Sequence, residues 1–86
     1  MKKKVLHKYF EKILNGSKNW EFRLNDFKIN KGDTLKLIEI DDKTKNPTGR
    51  TIKKTVSDVT RFNPTDFYKI EDIRDKGVQI ISFKQE

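Results

Sequence analysis

The apolar positions of this chain change their period several times, and each change marks an element. Leu6, Tyr9, Phe10, Ile13 and Leu14 recur at i, i+3, i+4, i+7 and i+8, the stripe of a short helix. A helix this short is held by packing rather than by propensity. Asn15-Gly16 ends it, with Gly16 suited to the left-handed position just past a helix C-terminus. From residue 20 the period becomes two: Trp20 and Phe22 alternate with Glu21 and Arg23, as the two faces of a β-strand require. The pattern assigns Trp20 and Phe22 to a core. Glu21 and Arg23 then share a wet face, where an ion pair is worth at most about 1 kcal/mol. Lys18 has the wrong parity for that face and joins it only if the turn at Gly16-Ser17 frees its direction.

Residues 24–31 read as a connection in which Asn25-Asp26 has turn chemistry and Phe27 and Ile29 tuck under the loop. Gly32-Asp33 is a second tight turn. Thr34–Ile40 is a strand in which Leu35 and Leu37 share one parity and Ile38 and Ile40 the other, which suggests a bulge or burial on both faces. Residues 41–49 are hydrophilic and read as a long hairpin loop. Asp41-Asp42 lacks the ligand spacing of a calcium site and is read as turn charge. Residues 50–62 are rich in Thr, Val and Ile and read as a long strand. Asn63-Pro64 opens a second short helix carrying Phe67, Ile70 and Ile73, with an irregular loop as the alternative. Val78–Phe83 is the last strand. Lys2-Lys3-Lys4 reads as a solvated end, a basic arm being its alternative.

Composition narrows the class. The 86 residues form one domain, 1–86, with a small core and marginal stability. With 33% hydrophobic and 38% charged residues, a helix bundle would lack apolar surface, whereas a curved sheet encloses its own core. The absence of cysteine excludes disulfides, thiolate metal sites and a Cys nucleophile. A lone histidine, His7, makes a poor zinc site and reads as a surface or packing residue. No metal, cofactor or catalytic residue is expected. No apolar run approaches the ~20 residues of a membrane span, and no signal-peptide core follows the first lysines. A soluble, cytoplasmic protein without a membrane partner is expected, taken as a monomer.

Charge points to a partner. The formal net charge is +7, and residues 1–36 hold ten Lys/Arg against four Asp/Glu, a net of +6. A phosphate-rich ligand is drawn to such a region. The basic residues are 16 Lys and 4 Arg, although Arg is the better fork for phosphates and bases.

Gly16, Lys18, Glu21 and Arg23 reproduce the G-x-K-x-x-E-x-R pattern of the ASCH domain, a PUA-like fold. His7, Tyr9-Phe10, Ile13, Asn25-Asp26, Gly32-Asp33 and Thr48-Gly49-Arg50 follow in an order that resembles a short ASCH-related family of bacterial and phage proteins of unknown function. Phe27 stands where that family often has Arg. The resemblance implies an α+β domain: a small, curved, mostly antiparallel PUA-like β-barrel with one N-terminal helix and a second short one. It implies an RNA- or nucleotide-binding module, with single-stranded DNA as a further ligand. Lys18 and Arg23 would engage phosphate or a base edge, and Glu21 would accept from a base amino group or a ribose hydroxyl. Asn25, Asp26 and Arg50 complete the expected site. The rival for Glu21 is a structural brace that holds Arg23.

Two other classes are carried. ASCH relatives that resemble nucleoside amidohydrolases use a Lys with a Thr nucleophile, but Glu21 stands where that type has Thr; others are described as ribonucleases. A protein-interaction or coactivator-like module is the third reading, although the helix and strand patterns leave no exposed apolar stripe for it.

Overall fold

A computed structural model describes residues 1–62 and 77–84 of the protein. Its first lysines form a strand rather than a loose end. Lys2–Leu6 (β1) runs parallel to Thr34–Ile40 (β3), from Lys2 opposite Lys36 to Leu6 opposite Ile40. The segment does not alternate apolar and polar residues cleanly. It is a strand because β3 offers it a ladder and because Val5 enters the core, a case of tertiary pairing overriding local pattern.

Five strands and one helix make up the described residues: β1, α1 (His7–Leu14), β2 (Trp20–Leu24), β3, β4 (Pro47–Phe62) and β5 (Val78–Phe83). The sheet is mixed, in the order β1-β3-β4-β5-β2, with every neighbouring pair antiparallel except β1 and β3. The expected strands at Thr34–Ile40 and Val78–Phe83 are present with those bounds. The expected loop is shorter than residues 41–49, because β4 starts at Pro47. The expected second helix after Asn63-Pro64 lies outside the described residues.

The sheet is not a closed barrel, which corrects the expected architecture. β4 is 16 residues long and serves two partners in turn. Its first half, to Thr55, pairs with β3, and its second half, from Val56, pairs with β5, with a register shift between Val56 and Asp58. Such a bulge bends and twists the strand. The sheet therefore coils until β1 and β2, its two ends, stand near each other without pairing. One side chain spans the gap: the Arg23 guanidinium donates to the Lys4 carbonyl.

The core lies inside this coil. Val5, Phe10, Ile13, Ile29, Leu35, Leu37, Val56, Ile81 and Phe83 form it, with Phe27, Ile52 and Val59 packed at its margin. Phe27 and Ile29 thus tuck under their loop as expected. The buried Gln79 fixes that loop by donating to the Leu24 and Phe27 carbonyls, both at 3.3 Å. Leu35 and Leu37 point inward, and the next inward position of β3 is the carboxylate Glu39, while Ile38 and Ile40 are half-buried on the other face. The anticipated irregularity is present as a register shift between Ile38 and Ile40.

Candidate functional site

The helix end delivers the first site residue. Gly16 adopts φ +85°, and its amide donates to the Ile13 carbonyl at 3.3 Å. The Lys18 amide reaches back to the Lys12 carbonyl at 3.0 Å. This folds residues 16–18 against the helix terminus and turns the Lys18 side chain into the gap between β1 and β2. Ser17, beside it in sequence, donates its hydroxyl to the Lys12 carbonyl at 3.3 Å instead of pairing with Lys18.

β2 alternates as expected but with the opposite sense. Trp20 and Phe22 are 47% and 50% exposed, whereas Glu21 is only 6% exposed. The assignment of the two aromatics to the core is therefore corrected. The physical reason is that Glu21 does not arrive alone. Its Oε1 accepts from Lys18 Nζ at 3.4 Å, and its Oε2 accepts from Arg23 Nε at 2.9 Å. A carboxylate so paired can be buried, and the aromatics are then left on the outer side of an end strand. Lys18 is itself 8% exposed. Its ammonium lies 4.5 Å from the Tyr9 ring centroid and 4.7 Å from that of Trp20, within cation–π range of both.

These residues line a cleft of about 380 Å³ bounded by Lys4, Val5 and Leu6 on one side and Trp20, Glu21, Phe22 and Arg23 on the other, with Tyr9 and Lys18 at its end. It occupies the gap left where the sheet fails to close. Three cations, Lys4, Lys18 and Arg23, against one carboxylate give it a net positive charge, and three partly exposed rings give it flat apolar walls. The structure thus brings together Lys18, Glu21 and Arg23 of the expected set. Asn25 and Asp26 do not line the cleft; the Asn25 amide donates to the Gly77 carbonyl at 3.0 Å, in the loop beyond β2. Arg50 also lies elsewhere.

Arg50 belongs to a second polar cluster that the sequence reading missed. Glu39, 2% exposed, accepts from Arg50 Nε at 3.0 Å and Nη2 at 2.6 Å, from His7 Nδ1 at 2.8 Å and from the Thr48 hydroxyl. Arg50 also pairs with Glu11 and stands 5.2 Å from the Phe10 ring centroid. The guanidinium and its companion donors hold the Glu39 carboxyl down at about 2, and the Glu39 carboxylate raises the His7 pKa above 6.5. His7, Glu11 and Glu39 have spacing that a metal ion could use, but Arg50 already supplies the positive charge there. The signal for this cluster was the parity of β3: Leu35 and Leu37 inward put Glu39 inward too, and a buried carboxylate needs cationic partners. Asp41 is turn charge, as read from the sequence: its Oδ1 accepts from the Lys43 and Thr44 amides at 2.8 and 2.9 Å.

No helix among the described residues is long and apolar enough to cross a membrane. A search of curated proteins finds no match. The crystal structure of hypothetical protein PH0355 resembles this fold with a TM-score of 0.63 at 21% sequence identity, covering 98% of each chain. At that identity the likeness speaks for the fold alone. The family model described as Domain of unknown function (DUF3850) matches residues 2–73, and the chain belongs to that family.

Proposed function

We propose that the protein is an RNA- or nucleotide-binding module whose ligand enters the cleft between β1 and β2. The observation that carries this reading is the pairing of exposed rings with a positive floor in one open cleft. A base offers a π-face that stacks on an exposed aromatic, worth about 1–3 kcal/mol per base, and its phosphate is drawn to Lys18 and Arg23. Stacking therefore joins the charge and hydrogen bonding expected from the sequence. The ASCH resemblance supports the same reading. Those domains resemble RNA-binding PUA domains, and a cleft lined by the G-x-K-x-x-E-x-R motif is their inferred ligand site; here three of the four motif residues line the cleft.

Hydrolysis is the weaker reading. Ser17 is turned to the helix end, and both oxygens of Glu21 are engaged by cations. That leaves Lys18 without a paired hydroxyl and Glu21 without a free basic oxygen among the described residues.

Trp20, the only tryptophan of the chain, reports on the cleft directly. Titration with nucleoside monophosphates and short oligoribonucleotides at low ionic strength is expected to quench its fluorescence saturably. Trp20→Leu, followed by the anisotropy of an end-labelled oligoribonucleotide, is expected to weaken binding about fivefold or more, the loss of one stacked base. Unchanged fluorescence with both ligand types refutes the cleft reading. A protein partner that survives nuclease treatment and protects Trp20 favours the interaction module instead.

A further inference from the structure

Outside the cleft, the most strongly charged feature is a row of lysines across three adjacent strands. Lys2 stands opposite Lys36 in the β1–β3 ladder, and Lys36 stands opposite Lys53 in the β3–β4 ladder. Residues opposite one another share a face, so the three lysines project from the same side of the sheet. They border a shallow groove of about 310 Å³ with Met1 and Thr34. Like charges placed directly opposite destabilise a sheet. Among the described residues none of the three forms an ion pair. By strand alternation, this outer face also carries Thr34, Lys4, Leu6, Ile38, Ile40, Thr51 and Thr55, so among the described residues these three strands bring no carboxylate beside the row; Glu39 points inward.

The row is continuous with the cleft. Lys4 follows Lys2 by two positions along β1, on the same face, and Lys4 lines the cleft. Strand spacing and rise per residue make the path from Lys53 to Lys4 about 16 Å. Stacked nucleotides repeat every ~3.4 Å along the axis of a strand, so a path of this length spans more than one nucleotide step.

We propose that the outer face of β1, β3 and β4 is a track for the sugar-phosphate backbone of a single-stranded nucleic acid, one base of which occupies the cleft. The ligand is then a polynucleotide rather than a free nucleotide. This rests on the cleft reading for the base and on the lysine row alone for the track.

The test uses two readouts on the whole chain. Anisotropy of end-labelled ten-nucleotide oligo(U) and oligo(dT) reports binding anywhere on the protein, and Trp20 fluorescence reports the cleft. The triple variant Lys2→Gln, Lys36→Gln, Lys53→Gln removes the track from a solvent-facing surface and is expected to unfold no earlier than the parent. For the oligomers, the slope of log affinity against log salt is expected to fall by about 2, since each lost single-strand phosphate contact takes about 0.7. Affinity for uridine monophosphate, read by Trp20, is expected to stay within twofold. An unchanged slope overturns the track and leaves the cleft reading standing. Oligomer binding that loses its slope in the variant yet never alters Trp20 removes the cleft and keeps the track. Equal binding of inorganic polyphosphate of the same charge, without a Trp20 response, overturns the assignment to nucleic acid.

Discussion

Glu21 is the residue on which the site turns. Buried with both oxygens engaged, it holds two cations that would otherwise repel each other in a half-dry cleft. That is the geometry of a brace, and it predicts how substitutions separate. Glu21→Ala leaves Lys18 buried and uncompensated and is expected to cost about 3–5 kcal/mol in urea unfolding, the range for breaking one side of a buried ion pair. Glu21→Gln keeps the shape and removes the charge. It is expected to lower stability by less and to leave the preference among bases unchanged, because both Glu21 oxygens are already engaged by Lys18 and Arg23. A Glu21→Gln protein of parental stability with altered base preference instead makes Glu21 a direct reader of the ligand.

At the scale of the element, Gly16 shows what a single backbone conformation contributes. Its φ of +85° lies in the left-handed region, and a Cβ there would meet nothing within 4 Å. The cost of Gly16→Ala is therefore conformational alone, about 1–2 kcal/mol, visible as a lower denaturation midpoint without a change in slope. This turn was legible in the sequence because helix stripe, Asn and Gly agreed. β3 and β5 were legible for a similar reason: runs of β-branched and aliphatic residues bounded by turn signals. β1 was not, because Lys2-Lys3-Lys4 carries no strand pattern and acquires its structure from β3. The facing of β2 was also beyond reach. Period two fixes which residues share a face but not which face is buried, and here the decision fell to Lys18, whose arrival depends on the Gly16 turn. Of the candidate site, Lys18, Glu21 and Arg23 were thus readable as a motif. Arg50 was readable only as a charge, since its partner Glu39 is 11 positions away across a hairpin.

At the scale of the whole molecule, the second polar cluster ties three elements together: His7 and Glu11 on α1, Glu39 on β3, Thr48 and Arg50 on β4. Its proton chemistry sets a pH window for stability. The folded Glu39 carboxyl is lowered from 4.5 to about 2, with Arg50 as the main cause. That contribution is complete above about 4.5 and is lost as pH falls toward 2. The folded His7 imidazole is raised above 6.5, first by its hydrogen bond to Glu39 and then by the charges of Glu39, Glu11 and Asp42. That contribution is complete below 6.5 and is lost as pH rises through the raised folded value. The two limbs predict a maximum in Tm between about pH 4.5 and 6.5. The alkaline limb is the shallower, because the His7 side chain is half-exposed. Since Asp41 is also lowered, by the Thr44 and Lys43 amides, the acid limb is shared and must be apportioned by variants. His7→Gln is expected to flatten the alkaline limb and spare the acid one. Glu39→Gln is expected to lower Tm throughout and to weaken both limbs, because it removes the partner that raises His7. Thermal unfolding from pH 3 to 8.5 reads all three proteins, and a parental Tm that climbs between pH 6.5 and 8 contradicts a stabilising His7–Glu39 pair.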